Sequence, residues 1–397
     1  MDKNFKLLSK EVTEKNITYS FLWFKLVLKN PNFVDELEIE TKKAIKIQNS
    51  YDLKPLRQAK KLILFLTPAN IKICGGVMSI YSLCETSRKI NSNSLCILST
   101  YPNEKYTYSS NEKFPNEELI YRFSQIVNNC KKLEELIVHI PDYYAKDFYK
   151  SLTSRDIKFL KSIKKLHLNI MNQNIELMPE PEELKDLYKL TNNITQTVAH
   201  NRYATQEVCD KWQIPTHLFS VGIDSSKYKS YPFEEKEKNI VVSPDRHKDK
   251  GKIIGKMREK FPDFNYITVQ NMTFPEYMDL IARSYFTISF GEGMDGYFIQ
   301  PSGVKSVGIT VYNDKFFPDA SWKDLFNVYE SYEVMADKIL NDLEAMLNDK
   351  KLYEQTSNAV NIKLSQIYSI QSYNNNLKRF YENKYDFYPL VAKKNKE

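Results

Sequence analysis

The stretch Ser284–Asp314, SYFTISFGEGMDGYFIQPSGVKSVGITVYND, decides the fold. It opens on an apolar run rich in aromatic and β-branched residues, YFTISF, which reads as a buried strand. The glycine-rich GEGMDG then turns the chain into a helix start, YFIQPSGV, with Pro301 and Gly303 as expected interruptions, and GITVY begins another strand. Glu292, flanked by Gly291 and Gly293 at the end of a strand, is free to reach a ligand hydroxyl, for which a carboxylate is a suitable acceptor. Glu292 and Asp295 also stand where a helix N-cap would, and a cap that serves the helix instead of a ligand is the alternative for either acid.

The same alternation extends through the chain, and the fold class it defines is α/β with parallel sheets. Upstream candidate strands are Lys61–Thr67, Ser94–Thr100, Glu135–Pro141, Lys164–Met171, Ile194–Ala199 and His217–Ile223, with helical stretches between several of them. The polar, proline-containing DSSKYKSYPFEEKEKN (Asp224–Asn239) marks a boundary, after which NIVVSP, NYITVQ, YFTISF and GITVY restart the pattern. The expected organisation is an amino-terminal Rossmann-like domain over 1–224, a second over 225–370, and a helical segment over 371–397 that returns to the first. YSFLWFKLVL (Tyr19–Leu28) is too short to span a bilayer and carries Lys25, so it reads as a helix docked by its aromatic face.

Composition narrows the function. The 397 residues are 42% hydrophobic and 13% aromatic, enough for packed cores, and 27% charged. A net charge of +7 is small for this length and dispersed, which argues against nucleic acid and suits anionic small ligands or light contact with an anionic membrane surface. Five cysteines without Cys-x-x-Cys spacing indicate neither a disulfide framework nor zinc, and point to a reducing cytoplasm.

Open α/β sheets bind ligands at the carboxyl ends of their strands, so the loops there hold the candidates. In ANIKICGGVMSIYSL, Gly75 and Gly76 precede a helix expected to begin near Met78, where bare amides attract phosphate; a tight turn without ligand fits equally well. In VVSPDRHKDKGKIIGKM, Arg246 and Lys250 follow a strand and Gly251 leads into a helix, a pairing able to neutralise a diphosphate. The loop residues Asn172, Gln173 and Asn174 offer amide donors or simply close a turn.

These motifs, in this order, resemble the GT-B glycosyltransferases, in particular retaining enzymes of the glycosyltransferase family 4 type. Gly75 and Gly76 match the family's Gly-Gly loop; Arg246, Lys250 and Gly251 match its donor-phosphate motif; Glu292 begins its Glu-x7-Glu motif. The stretches LNIMNQNIELMP and TQTVAHNRYATQEV look like a bacterial subgroup from polysaccharide gene clusters, and the resemblance runs from about Leu62 to about Pro318. It implies two Rossmann-like domains facing each other across a cleft. It also implies sugar transfer from a nucleotide diphosphate sugar to a saccharide or lipid-linked acceptor, with no metal and no other cofactor.

The resemblance gives Glu292 and His200 catalytic places and sets Gly293, Asp295 and Gln300 against the donor sugar or ribose. The departure is Gln300, where the family has its second glutamate: an amide accepts a ribose hydroxyl without the charge that strengthens the bond. A non-catalytic module that binds a nucleotide sugar or glycan is the alternative that Gln300 favours.

Overall fold

The computed structural model describes residues 7–12, 16–21, 25–29, 36–69, 75–110, 118–220, 225–270 and 272–390. Three antiparallel strands come first, β1 (Leu7–Val12), β2 (Asn16–Phe21) and β3 (Lys25–Lys29), in the order β1-β2-β3. The helix expected over Tyr19–Leu28 is therefore not formed. NITYSF alternates polar and apolar residues with period two, KLVLK sets three apolar residues between lysines, and the two strands pair with Ser20 opposite Lys25.

A seven-stranded parallel sheet follows: β4 (Lys61–Thr67), β5 (Leu95–Thr100), β6 (Ile120–Tyr121), β7 (Glu135–Pro141), β8 (Lys165–Asn172), β9 (Ile194–Val198) and β10 (Thr216–Leu218), in the order β10-β9-β8-β7-β4-β5-β6. Its interior strand β4, KLILFLT, reads as a continuous apolar run because both faces are covered. Leu62, Leu64 and Leu66 enter one core, and Ile63 and Phe65 enter the other. β10 is shorter than the expected His217–Ile223; residues 221–224 lie outside the described chain.

The second parallel sheet comprises β11 (Glu237–Val242), β12 (Asn265–Thr268), β13 (Ser284–Ile288), β14 (Val307–Val311) and β15 (Val328–Tyr329), in the order β12-β11-β13-β14-β15. In each sheet the chain builds outward from its first strand and then returns to the opposite side of it. The order therefore reverses between β4 and β7 in the first sheet and between β11 and β13 in the second, and such reversals open the crevices in which α/β sheets take ligands.

The last helix, Ile370–Tyr381, packs Tyr373, Leu377 and Phe380 into the core of the first sheet, one helical face at spacings of four and three. Phe387 then bridges Thr216, and Asp386 accepts from the Leu218 amide at 2.8 Å. Among the described residues no helix is long and apolar enough to cross a membrane, and Cys84, Cys96, Cys130 and Cys209 are free and buried.

Candidate functional site

The reversal in the second sheet is built from the loops after β11 and β13, and they touch. Ser243 Oγ accepts from the Phe290 amide at 3.0 Å, and Lys250 Nζ donates to the carbonyls of Ser243 and Asp245. Asp245 lies against Gly291 so closely that a Cβ there would come within 2.9 Å of its carboxylate. Gly293 has φ +86° and would press a Cβ to 2.6 Å from the Val311 carbonyl, so only glycine carries the chain past β14 at this point. Arg246 is exposed and, with His247, Lys250, Gly251, Arg258 and Tyr266, lines a cavity of ≈ 480 Å³. His247 stacks on Tyr332 at 3.6 Å and separates this cavity from one of ≈ 600 Å³ beside Gly291 and Asn313.

The helix after Glu292 runs over Gly296–Gly303. Asp295 is its N-cap: it accepts from the amides of Tyr297 (2.8 Å) and Phe298 (3.3 Å) and from the Ser289 hydroxyl. Both its oxygens are thus engaged within the domain, and the capping role anticipated for one of the two acids belongs to Asp295. Pro301 does not interrupt the helix. The Tyr297 carbonyl, which a proline four residues on cannot satisfy, accepts from Thr287 Oγ1 instead. Gln300 folds back along the helix toward its amino end, where its amide would lie 2.9 Å from a Cβ at Gly296.

The facing rim belongs to the first sheet. Asp142, directly after β7, accepts from the amides of Gln173 and Asn174, both at 2.9 Å, and so fixes the loop after β8. Gln173 Nε2 donates to the Gly76 carbonyl at 3.0 Å. Asn174 Nδ2 reaches across to Glu292 Oε1 at 3.1 Å. Beside this contact Ile175 packs into the aromatic cluster of Phe298, Phe316 and Phe317, Lys315 pairs with Glu176 at 2.9 Å, and His200 meets the Phe316 ring edge-on at 5.7 Å. The two sheets therefore meet rim to rim, with Glu292 between them.

Electrostatics follow from that placement. Burial, with Asp295, Asp245 and Glu176 as like charges, pushes Glu292 up to about 7. Burial and Asp245 raise Asp295 to about 6 against its hydrogen bonds. Burial lowers His200, opposed by a hydrogen bond to the Gln173 main chain, so the imidazole is neutral at pH 7. Burial also lowers Lys250.

Arg246, Lys250, Glu292 and Gln300 thus belong to the second sheet's reversal or the helix leaving it, while Gly75, Gly76 and His200 lie on the opposite rim. The helix of the glycine pair begins at Gly75 itself, three residues before Met78. Lys250 donates to the loop's own carbonyls, whereas Arg246 is exposed, as are Lys248 in the same loop and Arg258 in the same cavity lining. Sequence reasoning missed Asp142 and Asp245. The signal for Asp142 was an acid placed immediately after an apolar strand, in IPDYY. Among the described residues no group of His, Cys, Asp and Glu is placed to hold a metal ion.

Neither a protein-family model nor a curated protein matches the sequence. Solved structures do match the fold. An alpha-glucosyltransferase in complex with UDP and a 13-mer DNA containing an HMU base superposes with TM-score 0.53 at 12% identity, over 81% of this chain and 98% of that one. A glycosyltransferase from Rickettsia africae gives 0.49 at 13% identity, covering 82% and 98% of the two chains. Trehalose-6-phosphate synthase gives 0.48 at 10%, covering 81% and 98%. The fold assignment rests on the first of these. The chain has the GT-B architecture, two Rossmann-like domains facing each other across a cleft.

Proposed function

We propose that the protein is a glycosyltransferase that moves a sugar from a nucleotide diphosphate sugar to a saccharide or lipid-linked acceptor, of the family 4 type, with retention and without a metal. The observation that carries the reading is the contact of Asp245 with Gly291, which brings together the two loops whose next residues are Arg246 and Glu292, with Asn174 of the facing domain holding Glu292.

In this reading the donor lies in the reversal of the second sheet. Arg246, able to form two parallel hydrogen bonds, takes up the charge that develops on the departing diphosphate, a stabilisation that grows toward the transition state. Lys250 shapes the loop that presents it. Glu292 accepts hydroxyls of the transferred sugar and needs its charge to do so well. Gln300, whose amide lies over the amino end of its helix, takes the ribose hydroxyls. His200, neutral at pH 7, approaches the sugar from the other wall. The amide at Gln300 favours a second reading, a module that binds a nucleotide sugar without turning it over.

Calorimetry with UDP, GDP, ADP and TDP tests the donor site. At least one should bind, and Arg246→Ala should weaken it by ~10-fold or more through loss of a charge-assisted contact. Equal binding by wild type and variant removes Arg246 from the diphosphate.

A further inference from the structure

The carboxyl rim of the first sheet carries aromatic residues that the donor site does not use. β4 lies between β5 and β7, with Thr67 in register with Thr100. Tyr101 follows β5 directly, and Tyr143 and Tyr144 stand in the first turn of the helix Asp142–Ser151 that follows β7. The Tyr101 ring stacks on Tyr144 at 3.7 Å, and the Tyr101 and Tyr143 hydroxyls are hydrogen-bonded. Side chains from the two strands that flank β4 therefore meet above its carboxyl end, at the sheet's own reversal.

Exposure separates the members. Tyr101 is 4% exposed, whereas Tyr143 is 41% exposed at the rim. Tyr143 is tied to Tyr101 by its hydroxyl and by an edge-on ring contact at 6.2 Å, and a phenol so held, with part of its surface exposed, presents a rigid apolar plate at little entropic cost. The plate is next to the cleft, because Asp142, one residue before it, holds the Asn174 that bonds Glu292. Polar groups of both signs stand near it: Glu104 and Asp147 add to the effect of burial in raising Tyr144, and Lys146 lies three residues beyond Tyr143 in the same helix, groups that suit hydroxyls.

We infer that Tyr143, held by Tyr101, is the stacking platform for a neutral pyranose ring of a saccharide acceptor, whose C–H face would lie on the phenol ring. The inference rests on the glycosyltransferase reading and assigns its acceptor class.

Saturation-transfer NMR with methyl glucopyranoside, galactopyranoside and N-acetylglucosaminide, with and without nucleoside diphosphate, tests it on the intact protein. At least one pyranoside should receive saturation, Tyr143→Ala should weaken its binding by ~10-fold, and Tyr143→Phe, which keeps the ring, should restore it. No pyranoside signal in wild type overturns the inference. So does equal binding by Tyr143→Ala, or preferential binding of octyl phosphate over every pyranoside. Calorimetric nucleoside diphosphate affinity of the same samples reads the donor site alone, so a failed acceptor platform is told apart from a failed donor reading.

Discussion

Asn174 Nδ2 donates to Glu292 Oε1 at 3.1 Å, so a loop at the rim of one sheet holds the acid at the rim of the other. Asn174 is itself fixed by Asp142, which makes Glu292's position a property of both domains. A donor to the charged form favours that form. Asn174→Ala should therefore shift the pH midpoint of activity to alkaline values, read from kcat/KM profiles. A midpoint identical to wild type would show that the bond does not govern the ionisation of Glu292.

The same acid has a stability cost. Its native pKa of about 7 lies above the ordinary 4.5, so the native state binds a proton more tightly than the unfolded chain, and stability falls as pH rises from about 4.5 to about 7. Glu292→Gln removes the ionisation. The variant should be more stable than wild type by ~1 kcal/mol at pH 8, discounted for partial exposure, and equal to it near pH 4. Denaturant unfolding at both pH values reads this, and a gain of the same size at both would contradict it.

Much of the fold was legible in the sequence, and the reasons are local. KLILFLT and YFTISF announce strands buried on both faces, and the polar Asp224–Asn239 separates two such sets. Tyr19–Leu28 misled because eight of its ten residues are apolar or aromatic and the run as a whole carries no strong period, and antiparallel pairing decided the outcome. At the site, a cation after one strand and an acid between glycines marked the crevice. Which acid caps the helix was not legible, since Glu292 and Asp295 are both suitable and only the contacts with Ser289, Tyr297 and Phe298 choose Asp295. Asp142 acts through main-chain amides some thirty residues away, which no motif records.

Gly293→Ala should be severely destabilising, by ~3 kcal/mol or more, because it combines a positive φ with a backbone collision. Equilibrium unfolding measures it. A loss under ~1 kcal/mol would mean that the turn relaxes freely.

Gln300→Glu should tighten nucleoside diphosphate binding by ~1 kcal/mol, the gain from a neutral to a charged acceptor. The melting temperature should hold or rise, because the side chain lies over the amino end of its helix, where negative charge is favourable. A lower melting temperature with no gain in affinity would place the side chain away from the ribose.

The central claim is sugar transfer from a nucleotide donor at the Arg246–Glu292 crevice, and its most direct test is turnover. Wild type and Arg246→Ala are incubated with a panel of UDP-, GDP-, ADP- and TDP-sugars and saccharide acceptors, and release of nucleoside diphosphate is followed. Wild type should release it from at least one donor, and Arg246→Ala should be slower by on the order of 10²-fold with an unchanged melting temperature. Binding of a nucleotide sugar with no release by wild type, or equal rates in the two proteins, would contradict the account.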